Sequence, residues 1–438
     1  MNTLRASILL ALLVLLLVAA GWPAQLPEPW NMVLLPGLGV LILLACLPFR
    51  LPPLRVWLAA LGWLVFMSFY AWNASHEWTP GLGLLPREHW LHWPASAYPT
   101  GTWIVVRLGV AICAAVAAGF ALPRRQVGWL GGVLAVAAGV MALVVIAQRL
   151  EPSAPRFREF TGIFVNENHY AVFANLLLPI ALFTACRARF RAVQVGFPSS
   201  PAGLFYLVGV LIAISMVMCQ SRAGMAIMTF SIAALFLVRW RTTANYPFAT
   251  VPASTAFKIV GTLLVMVSLG FAVRAFRLEW RELEVIVREW AFRSGILKHA
   301  LEAWRARPIW GIGPGAFPVV FPYYQSAEYA RHTILHAHNE PVQFLVEYGW
   351  AGLAILLVLA FMVFSARRKT SIEEGEIPAY GDFERHAFGL AIVAFALHSL
   401  VDFPLRIPLL TLLTATWIGI WLGARPPRSK RKRPATQA

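Results

Sequence analysis

Charge is scarce in this 438-residue sequence: Asp, Glu, Lys and Arg together make up 13%, against roughly a quarter in soluble globular chains. That scarcity excludes a soluble enzyme, a disordered scaffold and a fibrous protein. Aspartate is nearly missing, with only Asp382 and Asp402 present, so no DxD-type site for a metal and a nucleotide sugar can be written. The four cysteines (Cys46, Cys113, Cys186 and Cys219) lie in or beside apolar runs without paired spacing, which indicates neither a disulfide framework nor a zinc site. What the chain has instead is apolar residues, 59% of the total, gathered in long runs. It reads as an all-α, polytopic membrane protein. The net charge of +17 invites a nucleic-acid partner, but the basic residues sit in short clusters between apolar runs, as membrane topology requires; no nucleic acid is expected.

About twelve runs are long enough to span a bilayer, which takes about 20 residues each. They start near Leu4, Asn31, Leu54, Gly101, Val127, Ile163, Gly203, Ala223, Ala256, Gly349, His386 and Ile407. The first run is read as an uncleaved helix because further spans follow at once. Alternate loops carry Arg50 and Arg55, Arg124 and Arg125, Arg187 to Arg191, Arg239 to Lys258, and Arg367 to Lys369; the tail adds Arg428 to Arg433. With these facing the cytoplasm, both termini are inside and the span count is even. The expected organisation is spans one to nine over residues 1–273, a large outer helical loop over 274–348 between spans nine and ten, three further spans over 349–424, and a basic cytoplasmic tail over 425–438. A loop of that length in a tight membrane protein is usually functional.

The informative residues are arginines on the wrong side. Arg222 lies in a short outer break between two apolar runs, and no carboxylate occurs from Asn168 to Lys258. An arginine without a local partner at the membrane boundary is costly and is functional by default; snorkelling to lipid phosphates is the bland alternative. Leu283, Ile286, Trp290, Leu297, Leu301 and Trp304 form the apolar stripe of an amphipathic helix, and Arg293 falls on it. A charge on a buried face wants a strong acceptor, either a substrate anion or one of Glu282, Glu284 and Glu289. Arg288 is the local alternative, and Arg156 and Arg158 add further outer positive charge.

The glycine-rich Pro308–Phe317 segment resembles a phosphate cradle, but no Lys-Ser/Thr and no strand accompany it; it reads better as a tight turn. Further along, Asn339 can cap a helix with Pro341 in its first turn. Asn339, Gln343 and Glu347 then share one face. His338 stands at the positive end of that helix, suited to accept a proton near neutral pH. His332, His336 and His338 lack an arranged carboxylate, so no metal is expected.

Four segments together resemble the O-antigen ligase and polymerase superfamily of bacterial envelope glycosyltransferases: Thr161–Ala171 (TGIFVNENHYA), Ser221-Arg222, Arg293 with the glycine turn, and His338-Asn339 followed by Glu347-Tyr-Gly349. The late His398–Phe403 segment fits a branch of it. The resemblance implies a helical membrane fold of the lipid-sugar-dependent type. It implies metal-independent, inverting transfer without a cofactor, from a glycan on undecaprenyl diphosphate to a hydroxyl of lipid A-core or another surface glycan. The site would face the periplasm from the bacterial inner membrane. It points to His338, Arg222 and Arg293 as the catalytic set. Asn339, Glu347, His169, Arg158 and Arg288 are candidates for binding diphosphate or acceptor. Two alternatives stand: a polymerase of the same superfamily, or a transporter or exporter of a lipid-linked sugar.

Overall fold

The computed structural model describes residues 2–21, 28–49, 51–79, 81–151, 161–194, 199–245, 280–329, 331–365 and 378–423, with scattered positions at 196 and between 258 and 270. In chain order the long helices are α1 (Asn2–Gly21), α2 (Glu28–Cys46), α3 (Leu54–Trp72), α4 (Pro99–Ala121), α5 (Arg124–Leu150), α6 (Glu167–Gln194), α7 (Ala202–Cys219), α8 (Arg222–Asn245), α9 (Trp280–Ala306), α10 (Glu340–Ser365), α11 (Pro378–His398) and α12 (Pro408–Gly423). A small antiparallel hairpin, β1 (His76–Thr79) with β2 (Gly83–Pro86), caps the end of α3.

Among the described residues, seven helices are long and apolar enough to cross a membrane, and the apolar stretches Val33–Cys46, Arg222–Val238 and Pro408–Gly423 are shorter. The run near Ala256 lies mostly outside the described residues. Large apolar side chains such as Leu4, Val33, Leu61, Val140 and Phe361 are exposed on the outside of the bundle. A chain in water would bury such a surface, whereas a bilayer solvates it. The fold is therefore that of an all-α, polytopic membrane protein.

Two features of the bundle hold the polar layer of the molecule in place. The first is α6, which is central: every residue from His169 to Ala185 is buried. Its single amide in that stretch, Asn175, donates to the Gly224 carbonyl of α8 at 3.0 Å and meets His398 at the end of α11 at 3.0 Å, so three helices are tied where lipid offers no polar partner.

The second is a break in α10 at Gly349, whose φ of +63° favours glycine. A break in a membrane helix frees carbonyls that must find donors within the protein. The Pro308–Phe317 turn supplies them. Ile312 N–H donates to the Val346 carbonyl at 3.0 Å, and Gly313 N–H donates to the Glu347 carbonyl at 2.9 Å. The turn thus redirects the chain and seals the helix, and those amides are committed to backbone.

One detail of α9 differs from the sequence pattern. Its buried residues are Ile296, Ala300 and Ala303, with Phe292, Leu297 and Trp304 partly buried beside them, while Val287 and Trp290 are exposed. Leu297 and Trp304 of the stripe do pack, but the fully buried face is offset from it onto Ile296, Ala300 and Ala303.

Candidate active site

His338 is built into a fixed position by the chain on both sides of it. Its backbone is left-handed, at φ +51°, and the other non-glycine residue with positive φ among those described is Gln220, two positions before Arg222. Such conformations persist only where surroundings over-determine them. The next residue, Asn339, caps α10: its side-chain oxygen accepts from Val342 N–H at 2.9 Å, as the Asn-Glu-Pro sequence predicts, and its amide donates to the Leu400 carbonyl at 2.7 Å. The second bond brings in residues 399–407, the turn between α11 and α12.

That turn places Asp402 against His338. Nδ1 of the imidazole lies 3.3 Å from Oδ1 of Asp402, whose side chain is 1% exposed while that of His338 is 27% exposed. Burial pushes the Asp402 carboxyl up, but the hydrogen bond from His338, the positive potential of His169 and His338, and the Phe403 N–H outweigh it and leave the group below its ordinary value. An ionised carboxylate only accepts hydrogen bonds, so the nitrogen that faces it, Nδ1, is the one that donates. Phe403 packs edge-on against His338 at 4.9 Å and His169 at 4.9 Å, and tilted against His336 at 4.3 Å. His336 is a different kind of group: burial, then the neighbouring Arg406, hold it down to about 3, so it stays neutral.

The arginines approach from α8 and α9. Arg293 donates to the Val401 carbonyl at 3.2 Å, one residue from Asp402. Arg288 instead pairs with Glu284 one turn away at 3.2 Å, and both side chains are largely exposed. Arg222 has a partner that sequence neighbourhood does not reveal: Glu289 of α9 lies 3.9 Å away, with the two side chains 42% and 59% exposed. A pair so long and so wet is weak. Because Glu289 and Arg293 are one helical turn apart, Arg222 meets α9 one turn from Arg293. Ser221, beside Arg222, donates to Asn168 at 2.7 Å, which is the neighbour of His169.

Below this layer a cavity of about 1530 Å³ runs between α3, α4, α8, α10, α11 and α12. Most of its wall is apolar, including Trp57, Trp63, Leu108, Ile112, Phe230 and Leu356. One end is polar, formed by His336, Glu340, Gln343, Glu347 and Arg406. There Arg406 lies between two carboxylates: Nη2 is 3.0 Å from Glu347 and Nε is 3.4 Å from Glu340. Burial works against the Arg406 charge, but Glu347 and Glu340 raise its proton affinity above the ordinary guanidinium value. His338, Arg222 and Arg293 are not lining residues; His338 and Arg293 stand beside this polar end through Phe403 and Val401, whereas Arg222 meets Glu289 of α9.

Of the residues singled out by sequence, His338, Asn339, Arg293 and His169 gather around the 399–407 turn. Arg222 stands opposite α9, Glu347 is buried against Arg406, and Arg288 faces away toward Glu284. Arg158 lies outside the described residues. Asp402, Phe403, Glu340 and Arg406 were not singled out individually. Asp402 carried a usable signal, being one of only two aspartates; Arg406 carried none, because its partners are 59 and 66 residues away.

No curated protein matches the chain. A family model does match residues 207–357, a stretch that holds Arg222, Arg293, His338, Asn339 and Glu347 and stops short of Asp402 and Arg406. The family is described as O-antigen ligase, and its members are membrane glycosyltransferase-type enzymes acting on lipid-linked glycans. The stretch from α7 to α10 is thus similar to that family, which supports the resemblance to the O-antigen ligase and polymerase superfamily.

Proposed function

We propose that the protein transfers a glycan from undecaprenyl diphosphate to an acceptor hydroxyl, of lipid A-core or another surface glycan, at the periplasmic face of the bacterial inner membrane. The observation that carries this reading is the His338 imidazole held through Nδ1 by the buried Asp402, with Arg293 on the carbonyl of the neighbouring Val401. The apolar cavity ending in the same layer supports it, since a long prenyl chain needs such a volume within the bundle.

In this reaction the acceptor oxygen attacks the anomeric carbon while the bond from that carbon to the diphosphate oxygen breaks. His338 takes the acceptor proton on Nε2, and Asp402 stabilises the imidazolium formed. Negative charge builds on the departing lipid diphosphate. Arg222 and Arg293 neutralise it by charge-assisted, bidentate hydrogen bonds. Direct displacement inverts the anomeric configuration, and no metal or cofactor takes part. Asn339 and His169 position the reacting groups. Twelve spans, both termini in the cytoplasm and a periplasmic loop over residues 274–348 complete the reading.

The test is glycan transfer in detergent from a purified lipid diphosphate donor. Arg222→Ala, Arg293→Ala and His338→Ala should each cost roughly 10²-fold or more in rate at normal membrane abundance. Arg→Lys should rescue only partly, because the planar fork is lost. Wild-type rates from any of the three Ala variants would remove that residue's role. Uptake or flipping of lipid-linked sugar by liposomes, without transfer, would overturn the reading.

A further inference from the structure

The polar end of the cavity holds two buried carboxylates and one arginine in a chain otherwise sparing with charge. Glu340 is 3% exposed and Glu347 is fully buried. Taking charges out of water is costly, so a buried cluster of this kind is weak evidence for stability and points to a role in the site. Its contacts show where the force is delivered. Arg406 belongs to the 399–407 turn, and both glutamates belong to the first turns of α10. The same two elements are joined at three further points: Glu340 N–H donates to the Ser399 carbonyl at 2.9 Å, Asn339 to the Leu400 carbonyl at 2.7 Å, and Leu405 N–H to Oε1 of Glu340 at 2.9 Å. Between these points lie Val401, which receives Arg293, and Asp402, which receives His338.

We propose that Arg406, clamped by Glu340 and Glu347, is the positioning residue of this site: it fixes the 399–407 turn so that Asp402 meets His338 and the Val401 carbonyl meets Arg293. Its charge is neutralised inside the protein. It acts on transfer through those two contacts and not by gripping the lipid diphosphate, although it borders the cavity. The inference rests on the proposed transfer reaction for its kinetic consequences, and on geometry alone for its structural ones.

The experiment uses the full chain in detergent with three variants: Arg406→Gln, Arg406→Lys and Glu347→Gln. Two properties are read. One is the rate at which diethyl pyrocarbonate modifies His338 at pH 6, followed by mass spectrometry, which needs no transfer activity. The other is kcat and donor KM for glycan transfer. A positioning role predicts that Arg406→Gln and Glu347→Gln both change the His338 modification rate severalfold. It also predicts that both lower kcat by about 10²-fold, with donor KM within about twofold of wild type. Arg406→Lys should recover part of both. Glu347→Gln guards against misfolding of the arginine variants, because it keeps the side-chain volume and leaves Arg406 in place. It also separates the two roles of the guanidinium. An Arg406 that grips diphosphate would be freed by Glu347→Gln, and donor KM would fall with kcat kept; that result overturns the proposal. An unchanged His338 modification rate in well-folded Glu347→Gln overturns it as well. If wild-type protein transfers no glycan while the modification rate shifts as stated, the proposed reaction fails and the clamp stands.

Discussion

Two turns embrace the first half of α10, and they do opposite work. Residues 308–317 include Gly311, Gly313 and Gly315, all with positive φ, and look like a place for phosphate. Yet Ile312 and Gly313 give their N–H groups to the broken helix, and Ala97 N–H and the Thr102 hydroxyl donate to the Ile312 and Pro314 carbonyls. Residues 399–407 look like a short connector between two apolar runs. They supply the acceptor for His338, the carbonyl for Arg293, a ring packed on three imidazoles, and the only guanidinium bordering both Glu340 and Glu347 among the described residues. Composition advertises what a backbone can do; partners decide what it does.

The sharpest way to test this contrast is Asp402→Asn. An amide at this position can donate to Nδ1, which moves the imidazole proton to Nε2 and removes the base. Transfer should fall roughly 10⁴-fold, as when a triad aspartate is replaced, in protein that still reaches the membrane folded. The sign of the pH dependence comes from the lowered Asp402 value. Stability from its pairing is present above its ordinary 3.8 and is lost only as pH falls through the lower folded value. The carboxylate therefore stays ionised at and above neutral pH and well into the acid range, and no pH in the ordinary assay range should restore the Asn variant. Recovery of activity at either end, measured in a buffered pH series of initial rates, would show that the pair does not set the tautomer.

Gly313→Ala examines the other turn. At φ +101° the backbone disfavours side chains, and an added Cβ would meet the Ser96 Cα at 2.5 Å. The cost should be about 3 kcal/mol, read as lower membrane abundance and a lower Tm. Transfer per folded molecule should keep its kcat. A variant that folds normally but fails in transfer would mean that this turn touches substrate after all.

The same division separates what is legible in the sequence from what is not. Features set by near neighbours are legible: the Asn339 cap, the tight glycine turn and the amphipathic character of α9. Features set by distant partners are not. The stripe on α9 goes by its large residues because nothing local reveals that the fully buried face is offset onto Ile296, Ala300 and Ala303. Arg406 passes as one more loop arginine, since its carboxylates arrive from another helix. Glu347 shares the predicted face with Asn339 and Gln343, but burial against Arg406 fixes what that face meets. Arg222 has no carboxylate near it in sequence, yet it is not partnerless, because Glu289 comes from 67 residues further along the chain, the difference of the two positions.

That last pair gives the smallest expected effect and completes the comparison, since it joins two exposed side chains and no buried turn. At 3.9 Å, with both groups well solvated, Arg222 and Glu289 should contribute at most about 0.5 kcal/mol to stability. Glu289→Gln should leave Tm unchanged, and its effect should weaken further with added salt. If Arg222 binds the donor diphosphate, removing a competing carboxylate should lower donor KM modestly, by about twofold on the scale of a weak exposed pair, with kcat unchanged. A collapse of transfer would instead make Glu289 a group that orients Arg222. The exposed pair would then belong with the buried clamp at Arg406, and burial would no longer separate the cations that hold the site from those that serve the substrate.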